Sequence, residues 1–206
     1  MTTVYLIRHS EGFKSLKGVC LTSDSLQLIN EKSPLSVIGE ELAKSVSLNK
    51  EFNNLSVVWS SNYVRAMATA KYFAVNNNLK VSIDDRLGER VIGIESWDEM
   101  PEDYEKRQML DEYYKIGFGE SQIEVRKRME DAFCEILDNN INKKIAIVGH
   151  STAISFLLKK WCEIEYKKPY RFNGKEFFDG NWKFCEVFKL VFDDDKKLVK
   201  IENLNF

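Results

Sequence analysis

The chain has only two histidines, and each closes a short apolar run. Arg8-His9 follows Val4-Tyr5-Leu6-Ile7, and His150 follows Ile145-Ala146-Ile147-Val148-Gly149 and precedes Ser151. A neutral imidazole is a competent nucleophile near neutral pH. Arginine is permanently charged, and its planar fork matches phosphate oxygens. An Arg-His pair at the end of a strand therefore points to phosphate chemistry. A lone strand-end histidine more often just bonds to nearby backbone; a second one in the same setting changes that balance. In a parallel α/β sheet, ligands bind outside the carboxyl ends of the strands. The two runs predict one site at one edge of such a sheet.

The elements that must position these residues can be traced along the chain. Residues 2–8 read as a strand, and 12–33 as a polar loop beside its end. Pro34-Leu35-Ser36 opens a helix over 36–48, with Leu42, Ala43 and Val46 on one face. A second strand covers 57–59, and Ser60-Ser61-Asn62 supplies capping residues for a helix that runs to Val75. Arg65 falls in or just beyond its first turn. Residues 80–84 form a third strand that ends in the charged cluster Asp84 to Arg90. Ser121-Gln122-Ile123-Glu124 is a capping box, and Val125, Met129, Ala132, Phe133, Ile136 and Leu137 follow at helical spacing. Residues 144–149 form the strand before His150, and Ser151 starts and caps a helix to Trp161. Segments 182–192 and 198–204 alternate as two strands around a hairpin turn at Asp193–Lys197. Strands alternating with helices, then an antiparallel ending, predict a three-layer α/β/α sandwich with a mostly parallel sheet and a C-terminal hairpin. All 206 residues fit one domain, with a short helical insertion at 93–120 covering the substrate.

Composition narrows the partners. Thirty basic residues against thirty-two acidic ones leave a net charge of −2, without the basic excess that nucleic acid or an anionic membrane attracts. No apolar run reaches membrane-spanning length. No basic N-terminal region precedes a long apolar stretch, so the expected location is cytoplasmic and the expected thiols are reduced. Cys20, Cys134, Cys162 and Cys185 are scattered, and with two histidines they offer no ligand spacing. Neither a metal nor another cofactor is expected.

Five local patterns resemble the histidine phosphatase superfamily, the phosphoglycerate mutase-like proteins. They are Arg8-His9; Pro34-Leu35-Ser36 with Gly39 and Ala43; Ser60-Ser61 with Arg65-Ala66 and Thr69-Ala70; Leu87-Gly88-Glu89 with Gly93 and then Gly119-Glu120-Ser121; and Gly149-His150-Ser151. Their order and spacing carry the likeness, since each is weak alone. The resemblance implies a phosphoglycerate mutase-like fold and roles residue by residue. His9 attacks phosphorus and becomes a phosphohistidine. Arg8, Arg65 and His150 surround the phosphoryl group, and Glu89 protonates the leaving oxygen and then activates water. Glu95 and Glu99 compete for the acid role, and Glu89 could equally belong to a surface network with Asp84, Asp85, Arg86 and Arg90. Ser10 stands where the family usually has glycine, which a negative φ would tolerate. Ser15 falls where many members hold phosphate with asparagine. Ser151 touches the same pocket.

The resemblance implies a metal-independent hydrolase of small phosphorylated metabolites, with two alternatives. Glu89-Arg90 is similar to the pair in cofactor-dependent mutases, where the arginine holds a substrate carboxylate. The chain is shorter than such mutases and closes on a hairpin without a long polar tail to exclude water, which points to hydrolysis. A non-enzymatic phospholigand-binding protein would have no need of an unhindered nucleophile. Arg86, Arg90, Lys14 and Lys17 could meet further negative charge on a substrate; Trp97, Tyr104 and Tyr113 could line an apolar subsite.

Overall fold

The computed structural model describes residues 1–13, 25–204 and 206. Strands β1 (Thr2–Arg8), β2 (Val57–Ser60), β3 (Val81–Ile83) and β4 (Lys144–Gly149) pair in parallel. Strands β7 (Val187–Phe192) and β8 (Leu198–Leu204) extend the same sheet antiparallel. The sheet order is β3-β2-β4-β1-β7-β8. β1 and β4 lie side by side in register, Arg8 opposite Gly149. The histidine that follows each strand therefore emerges at one place, and the His9 N–H continues the ladder onto the Gly149 carbonyl at 2.9 Å.

The strands are apolar on both faces because helices cover both. Tyr5, Ile7, Val58, Ala146 and Val148 cluster with residues of α2 (Val37–Ser47) and α3 (Val64–Val75). Val4, Leu6, Ile145 and Ile147 cluster with α5 (Gln122–Asp138) and α6 (Ser151–Leu158). Each such side chain, fully buried, contributes about 1.5–3 kcal/mol, and this anchors the strand ends that carry the chemistry. The architecture is the expected α/β/α sandwich with its antiparallel ending. Asp193 closes the last hairpin by accepting from the N–H groups of Asp195 and Lys197. Ser121 and Glu124 form the expected capping box of α5. Among the described residues no helix is long and apolar enough to cross a membrane.

Four local expectations are corrected. Residues 12–33 are not loop throughout: α1 (Leu26–Lys32) begins at an N-cap, Ser25, and buries no side chain, so it leaves no periodic signal. The N-cap of α3 is Tyr63, without a side-chain cap, and the Ser61 hydroxyl pairs with His150 and accepts from the Tyr63 N–H. The N-cap of α6 is His150, and Ser151 is the first helical residue. Residues 182–186 precede the strand as a turn, with Cys185 at φ +55°. A small hairpin, β5 (Tyr170–Phe172) and β6 (Lys175–Phe178), packs near the C-terminal strands.

The 93–120 segment holds a short 3-10 turn, Trp97–Glu99, and one α-helix, α4 (Tyr104–Leu110). It leaves and re-enters the domain at a pinch. Gly93 has φ +88°, and a Cβ there would lie 2.1 Å from the Ile116 carbonyl oxygen and 2.2 Å from the Gly119 nitrogen. Only glycine permits backbone to meet backbone this closely. The Glu120 N–H closes the neck onto the Val91 carbonyl at 2.8 Å.

Candidate active site

His9 is 8 % exposed and held from both ring nitrogens. Nδ1 lies 2.7 Å from the Ser10 carbonyl oxygen, and Nε2 lies 3.0 Å from the Arg65 Nε–H. A guanidinium can only donate and a carbonyl can only accept. The neutral tautomer is thereby assigned: Nδ1 carries the proton and Nε2 carries the lone pair. Burial pushes the His9 pKa down to about 3, with the charges of Arg65 and Arg8 adding to the effect. The ring stays neutral and nucleophilic at Nε2 across the physiological range.

His150 is fully buried and its ring centroid stands 5.0 Å from that of His9. Its Nε2 pairs with the Ser61 hydroxyl at 2.8 Å, and Arg65 Nη2 reaches its Nδ1 at 3.4 Å. Burial, followed by His9 and Arg65, holds its pKa well below the usual imidazole value. Arg65, in the first turn of α3, thus faces both histidines, and its Nη1 donates to the Asn30 carbonyl of α1. The Tyr63 ring lies against Arg65 at 4.9 Å and against His150 at 4.5 Å, and its hydroxyl accepts from Gln27 of α1.

Arg8 leaves β1 toward the turn before β7. Its Nη1 donates to the Trp182 carbonyl at 2.9 Å, and its guanidinium lies over the Phe184 ring. Its Nε is buried and has no hydrogen-bond partner among the described residues. Burial lowers the pKa of both Arg8 and Arg65, and Glu89 is the first charge opposing that effect in each case.

Glu89 shares this place, whereas Glu95 and Glu99 are exposed, with the Glu99 carboxylate accepting from the Glu95 N–H. The Glu89 carboxylate caps α6 in place of the missing side-chain cap. Oε1 accepts from the N–H groups of Ala153 and Arg90, both at 2.9 Å, and Oε2 from that of Thr152 at 3.3 Å. Burial raises its pKa, and the three N–H donors pull the other way. Burial thus favours the protonated carboxyl, while the helix N-terminus and the N–H donors favour the carboxylate.

Sequence-predicted residues divide clearly. Arg8, His9, Arg65 and His150 converge, and Glu89 joins them through its field. Ser10 has a negative φ and its N–H donates to the Thr69 hydroxyl, so serine fits in glycine's position. Ser151 is the first residue of α6, beside His150. Arg90 goes elsewhere. It is 2 % exposed, and its guanidinium donates to the Glu120 carbonyl at 2.6 Å, the Tyr114 carbonyl at 3.0 Å and the Gln108 side-chain oxygen. These acceptors occupy the nitrogens that a substrate carboxylate would need. Arg86 forms a bidentate pair with Asp84 and reaches Glu135. Tyr104 is buried under Arg90, while Trp97 and Tyr113 are exposed. Ser15, Lys14, Lys17 and Cys20 lie outside the described residues. Cys134, Cys162 and Cys185 are free thiols. Among the described residues no cluster of His, Cys, Asp or Glu suits a metal ion.

Three residues contribute that the sequence patterns do not mark for the site: Ser61, expected only to cap α3, Tyr63 and Thr69. Ser61 and Thr69 stood within a quoted pattern, but only contacts spanning 59 to 89 residues of sequence reveal what their hydroxyls do.

The model of the histidine phosphatase superfamily (branch 1) matches residues 4–203. A probable phosphoglycerate mutase GpmB of Yersinia enterocolitica is 32 % identical over 166 residues, 77 % of this chain and 74 % of that protein. Phosphoserine phosphatase 1 of Hydrogenobacter thermophilus is 26 % identical over 147 residues, 67 % of this chain and 69 % of that one. A mycobacterial glucosyl-3-phosphoglycerate phosphatase, solved with inorganic phosphate, superposes with a TM-score of 0.71 at 15 % identity, covering 99 % of this chain and 96 % of that chain.

Proposed function

The chain belongs to the histidine phosphatase superfamily, and on that premise we propose that it hydrolyses a small phosphorylated metabolite through a phosphohistidine at His9. The observation that carries the reading is the assigned lone pair on His9 Nε2, held by the Arg65 Nε–H. In the first step Nε2 forms a bond to phosphorus as the bond to the leaving oxygen breaks, and Glu89 gives that oxygen its proton. In the second step water attacks phosphorus, Glu89 takes the water proton, and the bond to Nε2 breaks, releasing inorganic phosphate. Arg8, Arg65 and His150 stabilise charge on the transferring oxygens. Two guanidinium groups supply the positive charge that a metal would otherwise bring, so the reaction is metal-independent. Residues 93–120 cover the substrate, and Ser151 adds a hydrogen bond to phosphate.

Hydrolysis is favoured over the mutase alternative because the guanidinium of Arg90 is already committed to three protein oxygens. Brief reaction with a labelled phosphomonoester, then denaturation, tests the mechanism. The wild type should carry an acid-labile, base-stable label on His9, and His9→Ala should lose both label and turnover, with kcat falling by about four to six powers of ten. Label persisting in folded His9→Ala overturns the assignment. A panel including phosphoserine and 3-phosphoglycerate, run with and without a chelator, reads substrate class and metal independence together.

A further inference from the structure

Glu89 can act as an acid only if its backbone holds the carboxylate at the end of α6, and the segment around it has little regular structure. After the short 3-10 turn at Asp85–Leu87, residues 88 to 96 belong to no helix or strand. One side chain from α5 meets the backbone on both sides of Glu89. Arg128 donates from Nη1 to the carbonyls of Arg86 at 2.7 Å and Gly88 at 2.9 Å, and from Nη2 to the carbonyl of Glu89 itself at 3.1 Å. The same guanidinium forms a bidentate pair with Glu120, at 2.6 and 2.8 Å. Glu120 in turn accepts from the Val91 N–H at 2.9 Å, inside the pinched neck.

We infer that Arg128 is a positioning residue for the Glu89 carboxyl, tying the backbone that bears the acid to α5 and to the neck of the 93–120 insertion. The inference rests on the reading of Glu89 as the leaving-group acid. Every guanidinium nitrogen of Arg128 faces the protein, on the carbonyls of Arg86, Gly88 and Glu89 and the carboxylate of Glu120. A planar fork can satisfy these together, which a single ammonium cannot. Without it, three carbonyls lose a charged donor and the acid is free to shift. A displacement of about 1 Å in a reacting group costs up to about a hundredfold in rate.

Single-turnover phosphorylation separates this role from general support of the fold. An alkyl phosphate needs its leaving oxygen protonated, and a nitrophenyl phosphate does not. Arg128→Ala should slow the alkyl reaction by about ten- to a hundredfold and the nitrophenyl reaction much less, so their ratio moves as it does in Glu89→Gln. In the double variant the ratio should move no further than in Glu89→Gln alone, because both changes disable one function. Added methylguanidinium should restore the ratio in Arg128→Ala. If both substrates slow equally in Arg128→Ala while Glu89→Gln shifts the ratio, Arg128 is only a structural support and the inference falls alone. If Glu89→Gln leaves the ratio unchanged, the reading of Glu89 falls and the inference with it. Should Arg128→Ala fail to fold, Arg128→Lys decides: an intermediate ratio supports the role and a wild-type ratio overturns it.

Discussion

Two pairs of arginines divide the molecule. Arg8 and Arg65 stand at the strand ends beside the histidines; Arg90 and Arg128 stand under the insertion. All four are held away from bulk water to some degree, so burial does not tell them apart. Their donors do. Arg90 and Arg128 have every guanidinium nitrogen directed at a carbonyl, an amide oxygen or a carboxylate. Arg8 keeps a buried Nε without a partner among the described residues, and Arg65 points Nε and Nη2 at the lone pairs of two neutral imidazoles. Phosphate oxygens are charged acceptors and compete well for such donors. Arg8 and Arg65 thus keep donors on no partner or on uncharged imidazole nitrogens, although Arg65 Nη1 is also held by the Asn30 carbonyl, whereas Arg90 and Arg128 are closed upon oxygens of the protein.

The largest test falls on the residues where the two pairs adjoin, Glu89 and Arg90. In Glu89→Gln, single-turnover phosphorylation by an alkyl phosphate should fall by about two to four powers of ten, and by nitrophenyl phosphate far less. Equal losses would remove Glu89 from the acid role. Next is the first pair itself. Arg65→Ala should lower kcat/KM by about two to three powers of ten, with Arg65→Lys recovering only part. Wild-type kinetics in Arg65→Ala would erase the distinction between the pairs.

Arg90→Ala should behave in the opposite way. It should cost about 2–4 kcal/mol of stability, read by denaturant unfolding, because a buried charged network loses its centre. For molecules that remain folded, kcat/KM should change by less than about tenfold. A loss as large as that of Arg65→Ala at unchanged stability would place Arg90 back among the substrate contacts.

The smallest effect concerns the imidazoles that Arg65 faces. Burial lowers the pKa of the His9 imidazolium to about 3 in the native state, against an ordinary value of 6.5, so the ring takes up no second proton above that value. Between those values the unfolded chain binds a proton that the native state excludes, so stability rises with pH through this window and falls on acidification. Replacing His9 with alanine should flatten the slope by up to about 1.4 kcal/mol per pH unit. Urea titrations from pH 4 to 7 measure it, and identical slopes in the two proteins would mean that His9 is not held neutral.

The legible parts of the chain were those where one physical cause acts locally. Ile145–Gly149 and Val4–Ile7 are apolar on both faces because both faces are covered, and a histidine at the end of each run could be placed at the sheet edge without further information. The capping box at Ser121 depends on four adjacent residues. The Arg90 side chain was misjudged for the opposite reason: its acceptors lie 18 to 30 residues away on the insertion, and its neighbour Glu89 faces the other direction. Helix α1 escaped notice because it buries nothing and is held by Gln27 and the Asn30 carbonyl, contacts that leave no mark on hydrophobic spacing. The turn at 182–186 read as strand because Trp182, Phe184 and Cys185 are apolar, while its bend depends on the Lys183 N–H meeting the Glu186 carboxylate at 3.0 Å.

The pinch between Gly93 and Gly119 brings both ends of the intervening residues to one doorway. A change of length between them need not shift the register of β3 or the start of α5, but it must keep Gln108 and Tyr114, whose oxygens hold the Arg90 guanidinium. Loop closure penalises a doubled length by only about 0.6 kcal/mol. A chain of this design can vary the exposed part of that segment while the strand ends that carry Arg8, His9 and His150 stay where they are.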